Sequence, residues 1–288
     1  MSILPNRSDA LSENRNGHLP KPVDAGAGVS EPEVFVSPAA LAKPSISLVV
    51  PALNEEKLIG RMLNAFRGSN RERLGIELIV SDGGSHDRTV EIAREHADVV
   101  VRHTARRRQT IAEGRNLGAK HARGDLLCFI NADTIPQDPE EFLHTLSNLA
   151  QVGEKEANAV AFACSVQIAP DERTWSDALF HTFFNNYVHF LNAVGLGMGR
   201  WECQVVWRDA FTEVGGYRDH MAAGEDFDLY RRLSTRGRIG ERKGLRVYES
   251  PRRFRRFGYL RILFEWTLNA VAVMVLGRSI SKEWEEIR

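Results

Sequence analysis

ISLVVPALNEE (Ile46–Glu56) is an apolar, β-branched run that stops at a proline and opens into an asparagine and two acids. A short run without polar alternation reads as a strand buried on both faces, the habit of parallel sheets. The same grammar returns twice. IELIVSD (Ile76–Asp82) ends in Gly83-Gly84, and DLLCFI (Asp125–Ile130) ends in Asn131-Ala132-Asp133. Helical patterns lie between them. Leu58, Ile59, Met62, Leu63 and Phe66 share one face, Asp87 can cap a helix holding Val90 and Ile92, and Ile111–His121 continues the series. DVVV (Asp98–Val101) adds a short strand. Strands alternating with helices predict an α/β fold with a mainly parallel central sheet and helices on both faces. In such sheets the ligand crevice lies beyond the carboxyl ends of the strands, where all three polar clusters fall.

Outward from this region the pattern loosens. ANAVAFACSVQI (Ala157–Ile168) reads as a strand. Trp175, Ala178, Leu179, Phe183, Tyr187, Phe190 and Leu191 keep helical spacing, and burial in the core is the expected fate of such an aromatic stripe. Gly195–Arg200 reads as a loop, and Gly224–Arg236 as a helix opening on two acids. Residues 1–43 are rich in Ser, Pro, Gly, Asn and Ala and read as a disordered leader, with order beginning at Ser45. The expected organisation is therefore a leader over 1–43, a catalytic domain over 44–250 and a basic, apolar helical extension over 251–288.

Charge and cysteine content narrow the function classes. Arg plus Lys and Asp plus Glu number 38 each, so no global basic field for nucleic acid exists. The balance is uneven, because a dozen Arg and Lys between Arg231 and Arg261 face two acids. That stretch is either a solvated basic face or a contact for phosphates or an anionic membrane. Cys128, Cys164 and Cys203 are far apart in the chain and lack C-x-x-C spacing, which argues against zinc or a disulfide framework and for a reducing compartment. No apolar h-region opens the chain, and no run approaches the roughly 18 apolar residues of a membrane span. A cytoplasmic enzyme is expected, with the inner face of the membrane as the place its basic arm could touch.

Three clusters can carry chemistry, and each has an ordinary reading beside the functional one. Asp82 with Gly83, Gly84 and Ser85 can accept from a nucleobase or ribose, or simply form a turn. Asn131-Ala132-Asp133, if extended, aims its two polar side chains to one side and could hold a hard cation through oxygen; otherwise it caps a turn before Pro136. Gly224-Glu225-Asp226 places two acids at a helix start, as the helix dipole favours, or supplies a general base.

The ordered set P-A-L-N-E-E, SDGGSHDRT, GRNLGAKHARGDLLCFINADT and VGGYRD…GEDFDLYRRL resembles the family-two glycosyltransferases over roughly Ile46–Tyr248. The resemblance implies their GT-A fold and transfer of a sugar, with inversion, from a nucleotide-diphosphate donor, UDP-sugars being favoured. Pro51, Leu53, Asn54 and Glu55 would line the nucleotide pocket, Asp82 with Gly84 would receive the base, and Arg115 would lie near the diphosphate. Asn131, Ala132 and Asp133 occupy the family's Asp-x-Asp motif, with Asp133 as ligand to Mg²⁺ or Mn²⁺. Asp226 matches the catalytic base, with Glu225 beside it, and Gly215-Gly216 the turn before it. Asn131 departs from the motif's first acid and removes one charge near the cation. The implied partners are a nucleotide-diphosphate sugar and an unidentified acceptor. Transfer to a polyprenyl phosphate and a silent nucleotide-sugar-binding protein are the alternatives. The C-terminal arm, with Arg252, Arg253, Arg255 and Arg256 ahead of an apolar run, is expected to pack on the domain or on a second copy; the alternative is a membrane interface.

Overall fold

A computed structural model of the chain describes residues 31–67, 70–152, 158–221 and 223–276. Four strands form its parallel heart: β2 (Ile46–Ala52), β3 (Ile76–Asp82), β4 (Val99–Arg102) and β5 (Leu126–Ile130). They stand in the order β4-β3-β2-β5, every neighbour parallel. Ile46–Val50 and all of β3 and β5 are buried without alternation, so both faces of the sheet are covered as the sequence predicts. The chain steps from β2 outward to β4, then returns to the other side of β2 as β5. That reversal opens a crevice between the ends of β2 and β5.

The helices between these strands are α1 (Ile59–Asn64), α2 (Thr89–Arg94) and α3 (Ile111–His121). Thr110 and Glu113 form a reciprocal capping box at the start of α3. Gly118 lets α3 lie close on the sheet, since a Cβ there would sit 2.4 Å from Val49 Cγ1.

Beyond β5 the sheet becomes mixed, with β8 (Cys203–Trp207), β7 (Ala159–Ile168), β9 (Arg238–Glu249) and β6 (Ile135–Pro136) in that order. β5–β8, β8–β7 and β9–β6 are antiparallel, and β7–β9 is parallel. The sequence reading marks neither β8 nor β9. β8 is short, and β9 mixes four basic residues with its apolar positions. At the far edge β1 (Glu33–Val36) pairs antiparallel with β4, inside the stretch read as leader. Its ordering comes from the free edge of β4 rather than from an apolar pattern of its own. Residues 1–30 of the expected leader and 277–288 of the expected extension lie outside the described residues.

The remaining helices are α4 (Pro139–Val152), α5 (Trp175–Ala193), α6 (Arg208–Glu213), α7 (Glu225–Ser234), α8 (Arg252–Phe257) and α9 (Tyr259–Leu276). One expectation is reversed here. The aromatic stripe of α5 is not core: Trp175, Leu179, Phe183, Tyr187 and Phe190 are exposed, and the helix buries Asp177, His181, Phe184 and Val188 instead. Its inner face meets charged groups, so the polar side of the helix is the side that finds partners. Asp177 caps α5 with Thr174 and also accepts from Arg255 (2.5 and 2.7 Å) and Tyr259, which ties α8 and α9 to α5. No helix of the described residues is long and apolar enough to cross a membrane.

Candidate functional site

The loops after β2 and β3 are sewn together. Asn54, held at φ 53°, donates its amide to Ser85 Oγ (2.8 Å) and accepts from the His86 amide through Oδ1 (2.9 Å). The Glu55 amide reaches Thr89 Oγ1 (2.8 Å), and Asp87 accepts from the Glu56 and Thr89 amides. Asp82 is fully buried at the centre of this weave. Its Oδ2 accepts from the Gly84 and Ser85 amides (3.0 and 2.9 Å), and its Oδ1 from the Ser85 hydroxyl. Gly84 turns at φ 94°, which favours glycine. The carboxylate that the sequence offers to a nucleobase is thus turned onto its own loop. What the loops present at the crevice are the half-buried Pro51, Leu53, Asn54 and Glu55.

Asn131-Ala132-Asp133 is a turn, closed by the Thr134 amide on the Asn131 carbonyl (3.1 Å), and not the extended segment assumed above. Its two polar side chains therefore part company. Asn131 Oδ1 accepts from Arg115 (3.0 Å), whereas Asp133 Oδ2 meets the Arg252 guanidinium (3.1 Å). Arg252 also lies 3.9 Å from Glu55 Oε2. Asp133 lines a cavity of about 100 Å³ with Arg61, Glu249 and Ser250. Asn131, Glu225 and Asp226 line another of about 100 Å³. The structure thus separates the site residues into two neighbouring chambers, with the Asn131 turn between them.

Arg115 is neither a surface residue nor free to meet a diphosphate. It is fully buried and donates to Glu225 Oε1 (2.8 Å), Asn131 Oδ1 and the Trp201 carbonyl (2.7 Å), leaving Nε without a partner. Tyr217 lies under its guanidinium at 5.3 Å. Helical spacing placed Arg115 correctly on α3, but only the closure of α7 against α3 decides that it points inward.

Asp226 opens the first turn of α7, just after Gly224 in the left-handed region at φ 75°. It is 4% exposed, and burial pushes its carboxyl up to about 7. The Glu225 charge and, further off, Glu202 add to the rise; Arg115 and the Phe227 amide oppose it. Both acids line the cavity, but Glu225 gives Oε1 to Arg115, whereas Asp226 has no cation in direct contact among the described residues. A carboxyl near neutrality, buried beside a cavity, is suited to exchange a proton with a hydroxyl.

A second buried group escaped the sequence reading. Arg200, fully buried, faces Glu202 (3.3 Å) and Glu249 (3.5 Å) and donates to Asn185 (3.0 Å). Burial and the neighbouring Glu202 hold the Glu249 carboxyl well above its ordinary range. His181, 3.5 Å from Glu249, is kept neutral by burial and by Arg200, its pKa lowered to about 3. These residues sit in the turn before β8, on β9 and on α5, far apart in the chain and without a motif. The three cysteines also converge, with Cys203 Sγ 3.1 Å from Cys164 Sγ and 3.9 Å from Cys128 Sγ, as free buried thiols.

Among the described residues no group of three His, Cys, Asp or Glu is placed to hold a metal. Asp133, about a third exposed, offers a carboxylate at the crevice, with Glu55 across Arg252 from it. A single carboxylate is a sparse but sufficient protein share for a hard cation that takes its other ligands from phosphates and water.

The family model described as Glycosyl transferase family 2 matches residues 47–214. Succinoglycan biosynthesis protein ExoA of Rhizobium meliloti is 28% identical over 207 residues, covering 68% of this chain and 60% of its own length. A mannosyltransferase of Pyrobaculum calidifontis, solved with GDP-Man and Mn²⁺, superposes with a TM-score of 0.56 at 19% identity, covering 74% of this chain and 59% of that one. Glucosyl-3-phosphoglycerate synthase of Mycobacterium tuberculosis, solved with Mn²⁺, UDP and glucosyl-3-phosphoglycerate, gives 0.52 at 21%, covering 81% and 79%. The chain thus spans about three fifths of ExoA and of the mannosyltransferase. These neighbours share the α/β GT-A fold seen here.

Proposed function

The chain belongs to glycosyl transferase family 2, and on that premise we propose that it moves a sugar from a nucleotide-diphosphate donor to an acceptor hydroxyl, with inversion and with Asp226 as general base. The observation that carries the proposal is Asp226 itself, a buried carboxyl raised to about 7 on the wall of a cavity. An acceptor phosphate arrives already ionised and needs no base, so this tuning favours a hydroxyl acceptor over a polyprenyl phosphate. It also favours catalysis over silent binding.

The donor belongs at the crevice between β2 and β5, against Pro51, Leu53, Asn54, Glu55 and the turn of Asn131, Ala132 and Asp133. A UDP-sugar is the favoured donor, in keeping with the UDP complex of the mycobacterial neighbour. Asp82 supports that pocket through Gly84 and Ser85 rather than by direct contact. Asp133 is the residue to hold Mg²⁺ or Mn²⁺, which when bound supplies positive charge for a departing diphosphate. Both solved neighbours named above contain Mn²⁺.

The chain's own residues account for the proton and the geometry. Asp226 takes the acceptor hydroxyl's proton as that oxygen bonds to the anomeric carbon and the bond to the diphosphate oxygen breaks. Arg115 clamps Glu225 and Asn131, which fixes the start of α7 against the donor turn. Arg252, already 3.1 Å from Asp133, is placed to trade that carboxylate for phosphate oxygens. Nucleoside diphosphate release from a panel of UDP-, GDP- and dTDP-sugars, with and without Mn²⁺, tests the assignment. Release that needs Asp226 supports it, and equal release by Asp226→Asn overturns the base.

A further inference from the structure

Thirteen large apolar side chains are exposed among the described residues, and ten of them fall on α5, the loop after it, and α9. On α5 they run at positions 175, 179, 183, 187 and 190, a single stripe on the side opposite the buried Asp177, His181 and Val188. On α9 they are Leu260, Phe264 and Leu268, again spaced by four and opposite the buried Ile262 and Asn269. The helices are neighbours, since the Phe180 ring of α5 lies tilted against Tyr259 (4.5 Å) and Phe184 meets Trp266 (5.4 Å). So much clustered apolar surface on a folded chain marks a docking face.

Charge selects what docks. The one acid of α5, Asp177, is buried under Arg255, α8 holds four arginines and no acid, and the acid of α9, Glu265, is matched by Arg261 at 2.8 Å. Arg253, Arg256 and Arg261 gather around the Phe257 ring, 4.9 to 5.9 Å from its centre, beside the exposed Leu260. Arginines at the border of an apolar stripe match the headgroups and acyl edge of an anionic lipid layer. A second copy would bring the same arginine cluster toward its own kind. No described helix can span a bilayer, so the face lies on the layer.

The same helices wall the Asp226 cavity. α5 gives Phe184, α9 gives Trp266, Asn269 and Ala270, and Trp201 stands edge-on to Trp266 at 3.9 Å. We propose that α5 and the α8–α9 arm dock on an anionic lipid surface and present the Asp226 cavity to a hydroxyl-bearing amphiphile held there. The docking stands by itself; the acceptor class rests on Asp226 being the base.

Flotation of the full chain with phosphatidylcholine vesicles, with and without phosphatidylglycerol, tests the docking. The chain is expected to float with the anionic vesicles and to be released by salt. The triple variant Leu179→Ser, Phe183→Ser, Leu260→Ser should lose about tenfold or more of that binding while melting like the parent, since all three side chains are exposed. Asp226→Asn should float unchanged, which separates docking from catalysis. A chain that stays with the protein fraction in both vesicle types overturns the proposal. So does a dimer in light scattering that the triple variant dissociates, because the face then belongs to a second copy. For the acceptor, label from a radioactive UDP-sugar is offered a lipid extract and the water-soluble fraction of the same cells. Product that partitions into organic solvent supports the amphiphile, and product found only in water overturns it.

Discussion

The two sides of the sheet bury opposite things. Around β2–β5 the interior is Ile46, Leu48, Val49, Leu78, Ile79 and Phe129, and its buried charges are held at the margins by fixed partners, Glu77 by Arg123, Asp98 by Arg71 and Asp82 by the Gly84 and Ser85 amides. Around β7–β9 it holds Arg200, Glu202, Glu249, His181, Asp177, Glu225 and Asp226, and most of the large apolar side chains of α5 face out. The first side supplies hydrophobic stabilisation, at roughly 25 cal/mol per Å² buried. The second side spends part of it to keep Asp226 and Glu249 in a medium where their proton affinities rise. The chemistry assigned to Asp226 depends on that division.

The largest break in this contrast is Asp226→Asn. Turnover is expected to fall by about 10²–10⁴, the usual share of a general base. Stability should move the other way. A carboxyl raised from 3.8 to about 7 holds its proton longer in the folded state, so the folded chain loses stability as pH climbs through that window, and the loss stays above it. Asparagine cannot ionise, so melting temperature should rise at pH 8 and by less at pH 5. Equal shifts at the two pH values would show that Asp226 is not tuned by burial. In the parent, kcat/KM should decline below about pH 7 as the base takes a proton.

Next in size is the loss of the cation between the buried acids. Arg200→Met keeps most of the side chain's length but leaves Glu202 and Glu249 without their guanidinium, a cost of about 3–5 kcal/mol. Leu48→Ala on the apolar side should cost about 2–5 kcal/mol by making a cavity. Denaturant melts will not tell these apart by size, but a second substitution will. Glu202→Gln should recover part of the Arg200→Met loss and none of the Leu48→Ala loss. Recovery in neither background would mean the acids carry no charge penalty.

His181 gives an effect of the opposite sign to Asp226, spread over the acid side of neutrality. Its pKa is lowered to about 3, so between that value and 6.5 the unfolded chain binds the extra proton. Stability from this group is whole above 6.5 and drains as pH falls, by about 1.4 kcal/mol per pH unit while the window lasts. His181→Gln should flatten the acid limb of the stability curve. Glu249, Arg200 and Asp177 face the imidazole or its field, so the slope should be read with those residues intact.

These two sides were unequally legible in sequence. On the apolar side, uninterrupted runs such as Ile46–Val50 and Ile76–Asp82 announce strands because nothing but burial explains them. The polar ends of those runs then locate the crevice without further information. On the other side the signals are ambiguous or misleading. β8 and β9 carry Gln204, Arg242 and Arg246 among their apolar positions, and the partners of Arg200 come from three separate elements. Arg115 shows the limit most clearly. Its place on α3 follows from spacing, but its burial follows from Glu225, 110 residues away. Periodicity gives the helix of α5 and not its orientation, because a moment has a direction only relative to what lies beneath.

That orientation also yields the smallest expected effect, and the most direct test of the contrast. α4 and α5 are both amphipathic. α4 turns Phe142, Leu143 and Leu146 inward, each at most 1% exposed, whereas α5 leaves Phe183 58% exposed. Phe142→Ser should cost about 3–5 kcal/mol, because it opens a cavity and strands a hydroxyl. Phe183→Ser changes a side chain that is already in water and has one ring neighbour, Tyr187 at 6.4 Å. Its cost should stay within about 0.5 kcal/mol. Paired urea melts decide the matter, with the midpoint reporting stability and the slope reporting exposed surface. If Phe183→Ser instead costs as much as Phe142→Ser in the isolated chain, α5 is covered from within and its stripe is core after all. If it is silent in the melt yet removes vesicle binding, the outward face of α5 is maintained for contact with something other than the fold.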